Sequence, residues 1–179
     1  MGKVTEALDE RLTQWIQAQR LFFVATAPRD GEHVNISPKG GDTLRVLGPR
    51  EIAYLDLTGS GAETIAHVRE NGRITVMLCA FEGPPDIVRL FGAGTVHPSG
   101  TPGYEALAAR FPDKTGARSI IHVALHRVQT SCGYQVPLMD FVAERDQLDR
   151  WAESKGRDGV LAYQAERNAV SIDGLPALP

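Results

Sequence analysis

The residues best suited to chemistry in this sequence form a short turn rich in glycine and hydroxyl side chains. The turn reads TGSGAET at 58–64 and lies between an apolar run at 52–57 and a helical pattern that ends at Asn71-Gly72. Ser60 with Glu63 three residues later fits a capping box, and Asn-Gly fits a left-handed helix end. Free N–H groups and the positive end of the helix dipole would meet here, which predicts a place for an anion.

The turn matches neither of the two common phosphate-binding motifs. It lacks the third glycine of a dinucleotide fingerprint, and it lacks the Gly-Lys-Ser/Thr of a P-loop. The pattern therefore argues against a nucleoside-triphosphate enzyme.

A second candidate anion element is a lysine set between a proline and two glycines, in SPKGG at 37–41. It follows a half-buried strand pattern, so it either reaches an anion or remains a solvated turn lysine. A phosphate held by this lysine and by the hydroxyl and N–H groups of the turn is physically coherent. An arginine on a later glycine-containing strand either adds a contact or faces outward. The candidate phosphate contacts are Lys39, Thr58, Ser60, Thr64 and Arg89.

Histidines and cysteines give weaker signals. His122 and His126 are four residues apart, but apolar residues alternate with them, which indicates a strand and predicts no metal site. Cys79 lies in an apolar strand pattern and is expected in the core. Cys132 is interpreted as a packing thiol, because no histidine is identified that would activate it as a nucleophile.

Composition limits the function classes. The chain has 179 residues, 42% of them hydrophobic, and a formal net charge of −3. This charge argues against a nucleic-acid partner or an anionic membrane surface, and no apolar run is long enough to span a bilayer. The N-terminus has no signal-peptide pattern, and two cysteines in separate elements favour reduced thiols. We therefore expect a cytoplasmic protein.

Periodicity predicts a fold that is mainly β, or α+β. Six or seven strands joined mostly by short turns predict an antiparallel barrel with flanking helices, in which Gly92 and Gly94 mark a bulge or corner. Strands are expected at 21–27, 33–37, 44–47, 52–57, 74–81, 87–97 and 118–130. Helices are expected at 3–19, 63–70, 104–111, 140–154 and 158–168. The expected anchors of the last two helices are Phe141, Leu148, Trp151, Leu161 and Tyr163.

Residues 12–130 resemble the pyridoxamine 5'-phosphate oxidase-like family. The resemblance is carried by LFFVATAPRDGEHVNISPKGGD, then IAYLDLTGSGAETIAHVRENGRITVMLCAF, then IVRLFGAGTV. It implies an FMN-binding split β-barrel at 1–137, a C-terminal helical extension at 138–179 of the same domain, and a homodimer with flavin at the subunit interface. The tail resembles an uncharacterised branch of the family, so vitamin synthesis is not predicted.

The resemblance also implies site residues. The family's strand after the first hairpin contacts the flavin, and the strand-to-helix turn binds the FMN phosphate. That turn typically carries Ser-Arg-Lys in the family, where this chain has Ala62-Glu63-Thr64. Thr58, Ser60 and Thr64 would then bond the phosphate while Lys39 or Arg89 supplies the charge. The residues at the flavin-contacting strand are Asn35, Ser37, Pro38 and Lys39.

Three functions remain open at this point. The first is a flavin-dependent oxidoreductase acting on a small-molecule substrate of unknown identity, with the isoalloxazine carrying the redox chemistry. The second is a flavin-binding or sensing protein without turnover. The third is the same barrel with a deazaflavin or haem in place of FMN.

Overall fold

The computed structural model describes residues 2–178. The strands are β1 (Val4–Thr5), β2 (Phe22–Thr26), β3 (Asn35–Lys39), β4 (Leu44–Gly48), β5 (Glu51–Leu57), β6 (Arg73–Cys79), β7 (Asp86–Pro98) and β8 (Ala117–Cys132). The helices are α1 (Glu10–Ala18), α2 (Glu63–Asn71), α3 (Pro102–Ala108) and α4 (Gln147–Arg167).

The strands form one antiparallel sheet in the order β3-β2-β6-β7-β8-β5-β4, with the two-residue β1 paired to β8. The predicted antiparallel fold with flanking helices is therefore confirmed. The two longest strands, β7 and β8, bend at a bulge between Phe91 and Gly92. A Cβ on Gly92 would lie 2.5 Å from the Ala124 carbonyl oxygen, so the predicted corner needs glycine.

Successive side chains of β5 point to opposite faces of the sheet and pack into two different hydrophobic cores. Ile52 and Tyr54 are fully buried in the main core, which includes residues of α1, β2, β6 and α2. Ala53 and Leu55 belong to a smaller core under α3. Asp56 stands next on the inward face of the strand, where it becomes part of the candidate site.

The first helix begins later than its apolar spacing suggested. Residues Val4–Thr5 form a strand beside β8, and α1 starts after Asp9. The Asp9 carboxylate accepts a hydrogen bond from the Leu12 amide at 2.7 Å, which satisfies a free donor of the first turn. The prediction of a helix from residue 3 is wrong because a capping aspartate interrupts the apolar periodicity.

The predicted C-terminal end of α2 is confirmed, whereas the predicted N-terminal cap is wrong. Gly72 ends the helix in the left-handed conformation at φ 72°, as Asn71-Gly72 predicted. The capping residue at the other end is Ala62, without a side-chain capping bond among the described residues, so the predicted Ser60 cap is wrong. The Glu63 side chain instead folds back against Gly61.

The predicted pair of C-terminal helices is present as two parts of α4 that meet in the predicted gap, but the first part starts at Gln147 instead of residue 140. Residues 133–146 contain neither helix nor strand, and α4 breaks at Gly156, where φ is 66° and ψ is 170°. The predicted anchors Phe141, Leu148 and Leu161 are exposed, so those assignments are wrong. Trp151 and Tyr163 pack edge-to-face on each other at 5.0 Å between ring centroids. Buried contacts come from Ala152, Val160 and Gln164.

The C-terminal tail is part of the packed structure. A bridge between Val170 and Pro176 folds it back, and Ala177 is buried in the main core. Arg69 of α2 donates to the Ala177 carbonyl, and the Asp173 carboxylate contacts His33 Nδ1 at 2.7 Å. Between residues 2 and 178, no helix is both long and apolar enough to cross a membrane.

The contact between His33 and Asp173 predicts pH-dependent docking of the tail. The hydrogen bond that the His33 ring donates to the Asp173 carboxylate raises the pKa of His33, and the same bond lowers the pKa of Asp173. A raised histidine pKa gives stabilisation that is complete below about 6.5 and is lost as pH rises through the folded-state pKa. Hydrogen-exchange protection of the Leu175 and Ala177 amides should therefore be lower at alkaline pH than at a pH below about 6.5.

The Asp173→Asn variant is the control, because it removes the carboxylate and should make this protection independent of pH. Equal protection at both pH values in the unaltered chain would contradict the role of the pair.

Candidate cofactor site

A cleft of about 500 Å³ opens where β3 and β5 end. The β3 side contributes Pro38 and Lys39 with the two glycines that follow, and the β5 side contributes Leu57 and Thr58. Lys114 and residues 143–145, 148 and 149 line the remaining wall. The cleft thus combines apolar walls with cationic side chains, as small-molecule sites commonly do.

A buried carboxylate holds the inner wall of the cleft. Asp56 is fully buried, and its two oxygens contact Lys39 Nζ at 2.9 Å and Arg118 Nε at 2.6 Å. We call these three residues the Asp56 cluster. Burial by itself would raise the pKa of Asp56, but the charges and hydrogen bonds of Lys39 and Arg118 lower it to about 2. The carboxylate is therefore ionised at neutral pH.

The Asp56 cluster carries one net positive charge, because two cations share one carboxylate. The other bonds of Arg118 go to neutral groups, the Gly61 carbonyl at 2.8 Å and the Asn168 carboxamide oxygen at 2.9 Å. The Lys39 side chain is 17% exposed and lines the cleft. Surplus positive charge in a mostly buried group is costly, so this wall of the cleft favours an anion.

A second lysine faces the same cleft. Lys114 Nζ contacts the Asp149 carboxylate at 2.7 Å, and both residues line the cleft. Asp149 lies in the first turn of α4, where the helix dipole favours an acid. The cleft therefore holds two lysines, each with a carboxylate partner.

The TGSG turn is tied to the C-terminal region. The Thr58 hydroxyl accepts from Gln164 Nε2 at 2.7 Å and donates to the Gly116 carbonyl at 2.8 Å. Asn168 Nδ2 donates to the Gly59 carbonyl at 3.0 Å. The hydroxyl of Thr58 is thus already used by the chain itself, whereas Ser60 is exposed.

A polar network joins β3, β2 and α2 beside the turn. Asn35 Nδ2 donates to Thr64 Oγ1 at 2.9 Å and to Thr26 Oγ1 at 3.1 Å, and Ser37 donates to Asn35 Oδ1 at 3.1 Å. The Thr26 hydroxyl also contacts His67 Nδ1 at 3.0 Å. Burial lowers the pKa of His67, which favours a neutral imidazole, and its Nε2 has no partner among residues 2–178.

The structure brings together some of the candidate residues from the sequence. Pro38, Lys39 and Thr58 line the cleft, and Asn35, Ser37 and Thr64 form the polar network. Arg89 lies elsewhere in the chain, with its guanidinium 3.0 Å from Ser131 Oγ. Along β8, Ile87 pairs with Ser131 whereas Leu57 pairs with Ala117, so Arg89 and the turn lie toward opposite ends of that long strand.

The predicted burial is confirmed for one of the two cysteines and is wrong for the other. Cys79 is buried, as expected for a core residue, and burial raises the pKa of its thiol. Cys132 is exposed, so its interpretation as a packing thiol is wrong. It lies at the end of β8, where the strand leaves the sheet.

Sequence reasoning missed several residues that shape the site. Asp56 carried a signal, because a charged residue at an inward position of an apolar strand needs a partner. Long-range contacts place the others, and no local pattern marked them. These residues are Lys114, Arg118, Asp149, Gln164 and Asn168.

Solved structures with the same fold include three bacterial proteins, all too distant in sequence to show more than the fold. A protein of Lactobacillus delbrueckii described as a putative pyridoxamine 5'-phosphate oxidase aligns with a TM-score of 0.53 and 23% identity, over 69% of this chain and 94% of that one. HupZ of Group A Streptococcus aligns with a TM-score of 0.53 and 20% identity, over 68% and 92%. A FAD-binding protein of Mesorhizobium loti aligns with a TM-score of 0.50 and 12% identity, over 73% and 96%.

Sequence comparison is more specific. The family model described as pyridoxamine 5'-phosphate oxidase matches residues 8–132. A protein of Aspergillus flavus described as pyridoxamine 5'-phosphate oxidase family protein ustO is 43% identical over 190 residues, covering 97% of this chain and 76% of the relative. With its antiparallel barrel and flanking helices, the chain belongs to the pyridoxamine 5'-phosphate oxidase family.

Proposed function

We propose that this chain binds FMN in the cleft and is a flavin-dependent oxidoreductase acting on a small-molecule substrate. The observation that carries the proposal is the surplus positive charge of the Asp56 cluster, which faces a cleft of about 500 Å³ through Lys39. Membership of the family supports a flavin as the cofactor. The FAD-binding protein of Mesorhizobium loti, which has the same fold, supports it as well.

The residues present fit a flavin. The cleft volume lies within the usual range of about 300–1,000 Å³ for small-molecule sites. Leu55 and Leu57 provide an apolar wall suited to an aromatic ring system, and Lys39 offers a cation to a phosphate. The backbone after Lys39 is two glycines, which leave the cleft open on that side.

The isoalloxazine, when bound, supplies the redox chemistry. The side chains of this protein bind and orient it. Pro38 and the leucines of β5 confine the ring system, and Lys39 holds the phosphate while Arg118 keeps Asp56 paired. The polar network of Asn35, Ser37 and Thr64 fixes β3 against α2, which sets one edge of the site.

We also propose that the active form is a homodimer with the cofactor at the subunit interface. Strand β3 is at an edge of the sheet, and Ile36 in the strand and Val34 just before it are 63% and 76% exposed. An exposed apolar edge beside the polar network favours a protein partner. In such a dimer, Arg89, which lies away from the turn within one chain, remains a proposed cofactor contact.

The first prediction of this proposal concerns the bound cofactor. Protein purified without added cofactor should show flavin absorbance bands, and NAD(P)H should bleach them under anaerobic conditions. Readmission of an electron acceptor should restore them. A deazaflavin band or a Soret band would contradict FMN, and bound flavin that NAD(P)H does not bleach would indicate a binding protein without turnover.

The second prediction concerns Lys39. The Lys39→Ala variant should bind FMN with a loss of about 1.5–3 kcal/mol, as is typical for hydrogen bonds to charged groups. Asp56 keeps Arg118 as a partner, so the fold should survive, which circular dichroism checks. Lys155→Ala is the control, because Lys155 is exposed and does not line the cleft. An unchanged FMN dissociation constant in Lys39→Ala would show that this lysine only pairs with Asp56 and does not contact the cofactor.

A further inference from the structure

We infer that this chain holds a phosphate monoester between Lys39 and Lys114 in the cleft, and that Asp149 of α4 competes with the phosphate for Lys114. The inference rests on the proposed function in assigning that phosphate to FMN. It moves the phosphate away from the N-terminus of α2.

The first step is that the chain's own groups already occupy the turn before α2. The Glu63 carboxylate lies against Gly61 at the positive end of the helix, where a phosphate would meet like charge. The Thr58 hydroxyl is used by Gln164 and by the Gly116 carbonyl. Arg118, which contacts the Gly61 carbonyl in this turn, is also committed to Asp56 and Asn168.

The second step is that Lys39 can change partner at low cost. When Lys39 turns to a phosphate, Asp56 keeps the Arg118 Nε contact at 2.6 Å and remains compensated. The phosphate, bound at the cleft wall, then neutralises the net positive charge of the Asp56 cluster. This arrangement neutralises a surplus charge without leaving a buried carboxylate unpaired.

The third step is that Lys114 can also change partner. The Asp149 side chain is 38% exposed and lies in the first turn of α4, so water and the helix dipole stabilise it after Lys114 leaves. The Lys114 side chain is only 17% exposed, which strengthens its attraction to an anion in the cleft. Two lysines match the charge of a phosphate dianion, and Asp149 sets the affinity by competition. The other charged residues that line the cleft are Arg20, Glu144 and Arg145, whose charges sum to one further positive charge.

The experiment titrates FMN and riboflavin, which differ by the phosphate, into the unaltered chain and four variants. Lys114→Met removes the proposed cation, and Asp149→Asn removes its competitor. Lys155→Met on α4 and Asp146→Asn just before it are the matched controls, since neither residue lines the cleft. Flavin fluorescence gives the dissociation constants, and circular dichroism verifies the fold of each variant.

Lys114→Met should weaken FMN about 10- to 100-fold and leave riboflavin unchanged, because the lost bond involves a charged phosphate. Asp149→Asn should tighten FMN binding about 3- to 10-fold, again without effect on riboflavin binding. High salt should reduce the changes in FMN affinity of both variants. The controls should match the unaltered chain. Equal losses for both flavins, or FMN affinity that neither variant changes, would overturn the inference.

Phenyl phosphate separates failure of this inference from failure of the proposed function. If the unaltered chain binds neither flavin, the proposed function fails. Phosphorus NMR titration with phenyl phosphate then tests the proposed phosphate site without a flavin. Weaker binding of phenyl phosphate to Lys114→Met than to the unaltered chain supports the site, and equal binding overturns it. If FMN binds and displaces phenyl phosphate, the phosphate of the cofactor occupies the site. If both bind together and only phenyl phosphate depends on Lys114, the lysines hold a substrate phosphate and the assignment to FMN is overturned.

Discussion

The ion cluster of Asp56 with Lys39 and Arg118 is the constraint on which the rest of the site depends. A fully buried carboxylate persists only when paired, and here two cations from different elements pair with it, one from β3 and one from β8. The cluster therefore fixes the end of β3 against β5 and β8, and it leaves one positive charge facing the cleft. Barrel closure and the positive charge of the cleft wall are thus coupled through a single carboxylate.

The same cluster connects the barrel to the C-terminal region. Arg118 reaches Asn168, Asn168 donates to the Gly59 carbonyl, and Gln164 donates to Thr58. The turn that resembles the family's phosphate site is therefore a docking place for the C-terminal region. The departure at Glu63 is consistent with this change, because an acid that folds back on its own helix start removes the need for an external anion there.

The sequence predicted what depends on local patterns. Apolar runs and stretches of period-two alternation placed the strands other than β1, Asn71-Gly72 placed the end of α2, and Gly92 marked the corner of the barrel. It failed where a single polar side chain overrides apolar spacing, as Asp9 does at the start of α1. It also missed contacts between residues far apart in the chain, because nothing local marks Arg118 as the partner of Asp56.

The most direct test of this account is the stability of Asp56→Asn, measured by urea unfolding at neutral pH without ligand. The change preserves shape but leaves Lys39 and Arg118 without a counter-charge, so we expect a loss of about 3–5 kcal/mol, the usual cost of breaking a buried pair. Asp42→Asn, which alters the exposed pair with Arg45, should cost at most about 1 kcal/mol. An Asp56→Asn protein as stable as the unaltered chain would contradict the account.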